Sequence, residues 1–189
     1  MEEEIKVFLQ SRFDNVEKLW NESHCYSVFS NWNWVFNWWR FNKTINDELA
    51  IFIFKFKAGW IILPFKQVNK ERKLEFICSS KTDYNYPLEK IGRLSNEEYL
   101  CIYKQIFQTI LAKYDQIYLK NLPSDTPLVK TLLTLPTKGI DIKLIKKEKC
   151  PQVNLKNFSF EYMDPNYFSD IKKILEKNKE INFSIIISH

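Results

Sequence analysis

The chain has few residues whose types and spacing suit chemistry, and the clearest group is Asp83-Tyr84-Asn85-Tyr86. A carboxylate and two phenols in one loop can orient a polar substrate, because loops on a rigid scaffold often carry binding side chains. The same residues also suit a plain turn, with Asp83 capping and Tyr86-Pro87 packing. His24 and Cys25 are adjacent. On a helix their side chains would point about 100° apart, whereas a Cys/His or Ser/His/Asp arrangement needs the base beside the nucleophile. His24 therefore reads as a helix-end residue. No GxxxxGK[ST] or GxGxxG stretch is present. The three glycines, Gly59, Gly92 and Gly139, are isolated, so no Gly-rich loop cradles a phosphate at a helix start. Cys25, Cys78, Cys101 and Cys150 have no CxxC spacing, and His24 and His189 lie far apart. No metal is expected from that pattern.

The elements that must position such residues begin with an aromatic block. Ser30 to Phe41 reads SNWNWVFNWWRF and holds four of the six tryptophans. Trp32, Val35, Phe36 and Trp39 recur at i, i+3, i+4, i+7, which predicts a helix over Trp32 to Trp39 with that stripe in the core. Ser30 or Asn31 can cap it. Trp34 and Trp38 fall off the stripe, four residues apart, and either cover a sheet or line a pocket. Phe13, Val16, Leu19 and Trp20 predict an earlier helix over Phe13 to Trp20, with Asp14 or Ser11 near its start. Leu49 to Lys57 and Trp60 to Phe65 read as a hairpin through a tight turn at Ala58-Gly59. Pro64 cannot donate to a ladder, so an edge, a bulge or a strand end is expected there. Lys73 to Cys78 reads as a third strand and Ser79 to Pro87 as a loop. Ser95-Asn-Glu-Glu98 is a capping box opening a helix to about Lys113. Gln116 to Leu119 is a buried-type strand, and Ser124 to Leu135 a short helix with Thr126 capping and Pro127 first. Ile140 to Ile145 alternates, Tyr167 to Lys177 is helical in spacing, and Phe183 to Ile187 is apolar. No repeat or linker is visible. The order predicts a single domain of α+β class with one mixed sheet.

Composition sets the outer limits. Of 189 residues, 45% are hydrophobic and 27% charged with the signs well mixed, which supports a folded core rather than disorder. The net charge of +5 is mild. Its densest clusters, Lys66 to Lys73 and Lys138 to Lys149, contain acids and read as solvated strand ends and turns, or as a weak anionic-ligand surface. The aromatics fall on buried-type positions rather than on a basic alternating strand, so a nucleic-acid partner is not expected. Met1 is followed by three glutamates rather than by the basic and apolar regions of a signal peptide. No apolar run approaches the roughly 20 residues of a membrane span. A cytoplasmic protein with free thiols and no membrane contact is expected.

Several blocks in order resemble one family, the GNAT-like acetyltransferases of the CelD type, named for cellulose biosynthesis. They are Leu19-Trp20, Val28-Phe29-Ser30 leading into Trp34 and Trp38-Trp39, Ile62-Leu63-Pro64-Phe65, Thr82-Asp83-Tyr84, Leu119 to Leu128 and Cys150-Pro-Gln-Val-Asn-Leu155. The likeness covers roughly Val16 to Leu155. It implies a GNAT-like mixed β-sheet flanked by helices, here the N-terminal lobe of an acyl-CoA-dependent N- or O-acyltransferase. It also implies acetyl-CoA or another acyl-CoA as cofactor, and Asp83 as base or substrate orienter with Tyr84 beside it. Trp34, Trp38 and Trp39 would border an acceptor pocket. The departures are two. The [QR]-x-x-G-x-[GA] loop that holds the coenzyme A pyrophosphate is missing, and so is the second GNAT lobe. Residues 1–189 then form one GNAT-like domain, with 156–189 as an atypical extension or truncated linker helix. The expected partner is a second GNAT lobe or a second copy of the chain. The alternative is a truncated or non-catalytic lobe that binds a partner.

Overall fold

Glu48-Leu-Ala-Ile-Phe-Ile-Phe-Lys-Phe56 is almost unbroken in apolar character, and such a strand needs cover on both faces. The computed structural model describes residues 4–68, 70–79, 82, 84–123 and 126–134, and it supplies that cover. This strand, β2 (Glu48–Phe56), pairs antiparallel with β3 (Gly59–Gln67), from Glu48↔Gln67 to Phe56↔Gly59. The two-residue turn is Lys57-Ala58, one position earlier than the sequence suggests. Gly59 closes the hairpin with φ +145°, and a Cβ there would lie 1.8 Å from the Lys90 carbonyl oxygen. Only glycine fits, because another strand's backbone passes against it.

That passing strand is β5 (Leu88–Ile91), and among the described residues the sheet has six strands. The edge strand β1 (Lys6–Gln10) pairs with β2, and β4 (Lys73–Phe76) pairs with β3. The sixth strand, β6 (Gln116–Tyr118), pairs parallel with β4, and every other pairing is antiparallel. The sequence pattern did not single out β1 or β5, since neither alternates cleanly. Strands β4 and β5 lie end to end along one side of β3, against Phe65–Gln67 and Gly59–Ile62 respectively. Leu63 and Pro64 fall at the fork between them. The Pro64 carbonyl accepts from Ile77 N–H at 3.0 Å on that side. A strand residue's N and C=O point the same way, so the missing Pro64 N–H also falls where the ladder is interrupted. Pro64 thus sits mid-strand rather than at an edge or strand end, and the fork makes it tolerable.

Alternate residues of β2 and β3 feed two cores. Ala50, Phe52, Phe54, Phe56, Ile61, Leu63 and Phe65 pack with α3 (Asn96–Leu111), through Ile102, Tyr103, Ile106, Phe107 and Ile110. Leu128 of α4 (Pro127–Thr134) joins them. Ile51, Ile53 and Ile62 pack with Trp20 of α1 (Glu17–Glu22) and with Trp32, Val35 and Trp39 of α2 (Trp32–Asn42). Each fully buried large apolar side chain contributes about 1.5–3 kcal/mol. The architecture is α+β, a mostly antiparallel mixed sheet between helices.

The caps explain where the helices start. Ser95 Oγ accepts from Glu98 N–H and Glu98 Oε2 from Ser95 N–H, so the capping box is formed. Asn31 caps α2 by accepting from Asn33 N–H at 2.9 Å. Thr126 Oγ1 accepts from Val129 N–H at the head of α4. The expected helix at Phe13 is corrected: α1 starts at Glu17 after an uncapped Val16, and neither Asp14 nor Ser11 caps it. Phe13 and Val16 are buried all the same, in the turn before the helix. The strand expected at 140–145, the helix at 167–177, the apolar run at 183–187 and the 156–189 extension lie outside the described residues.

Candidate functional site

The three tryptophans expected at an acceptor pocket go to three different neighbours. Trp39 is core, with Lys43 Nζ 5.7 Å from its ring centroid. Trp34 is exposed on α2 and meets Phe29 edge to face at 5.3 Å. Trp38 is half-buried against the α2-side core, its buried Nε1 has no hydrogen-bond partner among the described residues, and Lys66 Nζ lies 5.5 Å from its ring centroid. Trp32 and Phe36 stack at 5.7 Å, which bears out the core stripe.

The loop after β4 is pinned rather than loose. Thr82 Oγ1 is 3.1 Å from Cys78 O and 3.0 Å from Asn85 Oδ1. Asn85 Nδ2 donates to Lys120 O, and Asn121 Nδ2 donates to Thr82 O. Asn121 adopts φ +56°, a left-handed conformation that asparagine tolerates. Tyr84 is half-buried in this loop, and Asp83 lies outside the described residues. Between the loop and the fork is a cavity of about 10 Å³ lined by residues that include Ser30, Pro64, Cys78, Asn85 and Tyr86. That is room for about one water.

Beside the fork, β5 carries the group that sequence reasoning missed. Glu89 is 5% exposed, faces α3, and accepts a hydrogen bond at Oε1 from the Tyr103 hydroxyl. Its Oε2 accepts none from the described residues. Burial raises the Glu89 pKa above the ordinary carboxylate value, and the Tyr103 hydrogen bond opposes that only in part. Two runs of rings converge here. His24, Tyr26 and Tyr86 follow one another at 4.3 and 5.2 Å, while Tyr99, Tyr103 and Phe107 stack at 6.4 and 6.1 Å. Burial and then the Glu89 charge push up the pKa values of Tyr26, Tyr99 and Tyr103. The His24 backbone N–H donates to Glu89 O at 2.7 Å, an antiparallel bridge that ties the chain just past the end of α1 to β5. No local signal marked Glu89: Leu88 and Glu89 are buried on opposite faces of a four-residue strand, and Tyr26, Tyr99 and Tyr103 come from two distant segments.

A second buried charge lies on the opposite sheet face. Lys66 Nζ is 3.1 Å from Asp47 Oδ2 and 3.3 Å from Glu75 Oε1, and Lys120 Nζ reaches Glu75 Oε2 at 3.6 Å. Burial alone would raise the Asp47 pKa, but the Thr44 backbone N–H and Lys66 outweigh it and hold it below its ordinary value. Burial pushes the nearby Cys78 thiol up to about 12, which keeps it protonated and unreactive. This network is internally matched in charge and ties the loop before β2 to β3 and β4. The Lys66 end of the expected solvated cluster is therefore a core feature. Among the described residues no group of His, Cys, Asp or Glu is arranged to hold a metal, and no helix is long and apolar enough to cross a membrane. Comparison with protein-family models, curated proteins and solved structures found no match to this chain.

Proposed function

We propose that the chain is a GNAT-like lobe of the CelD acyltransferase type, serving the acceptor side of an N- or O-acyl transfer. The observation that carries this reading is Glu89, a buried carboxyl of raised pKa held by Tyr103 among further tyrosines beside the sheet fork. Groups perturbed by burial and specific neighbours are preferred candidates for proton transfer. In this reading Tyr103 fixes Oε1, and Oε2 takes the proton that an acceptor amine or hydroxyl gives up as it becomes a nucleophile. Tyr26 and Tyr99 flank the acceptor. Asp83 and Tyr84 remain candidates for orienting it.

The start of α3 does not fit acyl-CoA. A coenzyme A diphosphate needs free backbone N–H groups and a positive field at a helix start. Here Ser95 and Glu98 satisfy each other, and Glu97 and Glu98 place two carboxylates in the first turn. A second reading, a lobe that binds a partner without chemistry, is favoured by the fork cavity, which admits only one water.

One measurement tests the missing cofactor site and a second separates the two readings. Calorimetry with acetyl-CoA should give no saturable heat below about 1 mM, and tight binding would overturn the acceptor-side assignment. Carboxyl NMR of Glu89, titrated with butylamine and with butanol, should show its pKa falling when the amine binds. A Glu89 titration indifferent to both probes would leave the partner-binding reading.

A further inference from the structure

Strand β1 closes one end of the sheet, and its outer edge makes no hydrogen bond among the described residues. Open edges are normally blunted by charge, proline or a bulge. This one instead exposes Val7, Phe8 and Leu9 in a row, at 38%, 42% and 44%. Lys6 is its one charged residue.

The residues around this edge are complementary to themselves. An antiparallel copy centred on Phe8 places Phe8 opposite Phe8, Val7 opposite Leu9 and Lys6 opposite Gln10. Glu4 lies just before the strand and Arg12 in the bend just after it, so the antiparallel pairing brings each near the other's counterpart in the second copy. The charge pair occurs twice by symmetry, and neither Glu4 nor Arg12 takes part in an ion pair within the described residues. The faces agree as well. Phe8 pairs with Ile53 on the α2 side of the sheet, and Val7 and Leu9 pair with Phe54 and Phe52 on the α3 side. Each apolar contact of the pairing thus continues a core the protomer already has.

We infer that β1 is a self-association edge, on which a second copy of this chain pairs antiparallel about Phe8 and extends the sheet across a twofold axis. Such an interface is isologous and closes as a dimer. One short strand pair lies at the small end of specific interfaces, so the dimer dissociates on dilution.

Sedimentation velocity of the full chain between about 5 μM and 1 mM, a range suited to a small interface, should show the 22.8 kDa monomer passing to a dimer. Phe8→Lys sets two ammonium groups face to face and should abolish the dimer. Arg12→Glu opposes Glu4 with a like charge twice, and should weaken it roughly threefold to thirtyfold. Adding Glu4→Arg to that variant exchanges the partners and should restore it. These three positions are exposed, and circular dichroism checks that each variant is folded. A chain that stays monomeric throughout would overturn the inference. So would a dimer indifferent to Phe8→Lys and Arg12→Glu, or a charge exchange that fails to restore pairing.

Discussion

Burial of Glu89 works against its own charge, and the consequence is a pH dependence of known sign. A carboxyl whose pKa is raised in the fold binds protons more readily there than in the unfolded chain. Its contribution to stability is complete below the ordinary value of 4.5 and is lost as pH rises through the raised value. Glu89→Gln keeps an oxygen to accept from Tyr103 and removes the buried charge. Urea unfolding across pH 4 to 7 should therefore show a flatter profile for this variant, with equal or greater stability at pH 7. An unchanged slope would mean that Glu89 is not the group titrating. Tyr103→Phe acts in the opposite direction. It leaves a buried carboxylate without its donor, at a cost of about 1–3 kcal/mol, larger at pH 7 than at pH 4. A substitution that stabilises the fold while abolishing the response to an acceptor amine would mark Glu89 as placed for function rather than for stability. None of this was legible in the sequence, because Tyr26, Glu89 and Tyr103 become neighbours only once β5 has docked against β3 and α3.

Strand β3 is the element on which the rest depends, and two of its positions show how. Lys66 looked like one of several solvated lysines, but the register Lys66↔Glu75 and the loop carrying Asp47 draw it inward. Removing it by Lys66→Met leaves the buried Asp47 carboxylate without its cation, while Glu75 keeps Lys120, at a cost of about 3–5 kcal/mol at pH 7. Because Asp47 would then protonate more readily, the loss should shrink at pH 4, which denaturant unfolding at both pH values measures. Gly59 offers a paired test. Gly59→Ala adds a Cβ 1.8 Å from the Lys90 carbonyl at a φ that side chains avoid, and should cost more than about 2 kcal/mol. Gly92→Ala meets nothing nearer than 3.7 Å, and should stay within about 1 kcal/mol. Similar losses at both would show that the close approach of β5 is not what constrains Gly59. Periodicity and capping chemistry made α2, α3, β2 and the hairpin readable, since those signals are local. The fork was not readable: it depends on β4 and β5 sharing one side of β3, a pairing that no local spacing encodes.

The two cores differ sharply in chemistry, and that difference makes the molecule's cooperativity measurable. Trp20, Trp32 and Trp39 are buried on the α2 side, Trp38 and Trp60 pack against them, and Trp34 lies on α2 itself. The α3 side is built from phenylalanine, tyrosine and aliphatic residues. The aromatic block is mostly one wall of a core, as its helical stripe predicts, and tryptophan emission reports on that wall. Both walls stand on the same two strands, since alternate residues of β2 and β3 feed each of them. Ile106 is fully buried on the α3 side, away from the tryptophan wall. Ile106→Ala should cost about 2–5 kcal/mol through lost burial and the cavity left behind. For a chain of this length that lowers the melting temperature by about 2–4 °C per kcal/mol. If β2 and β3 couple the two cores, the melt followed by tryptophan emission should fall by as much as the melt followed by far-ultraviolet circular dichroism. If the emission midpoint stays put while the dichroism midpoint moves, the two walls unfold separately. The sheet would then be a shared support rather than a shared core.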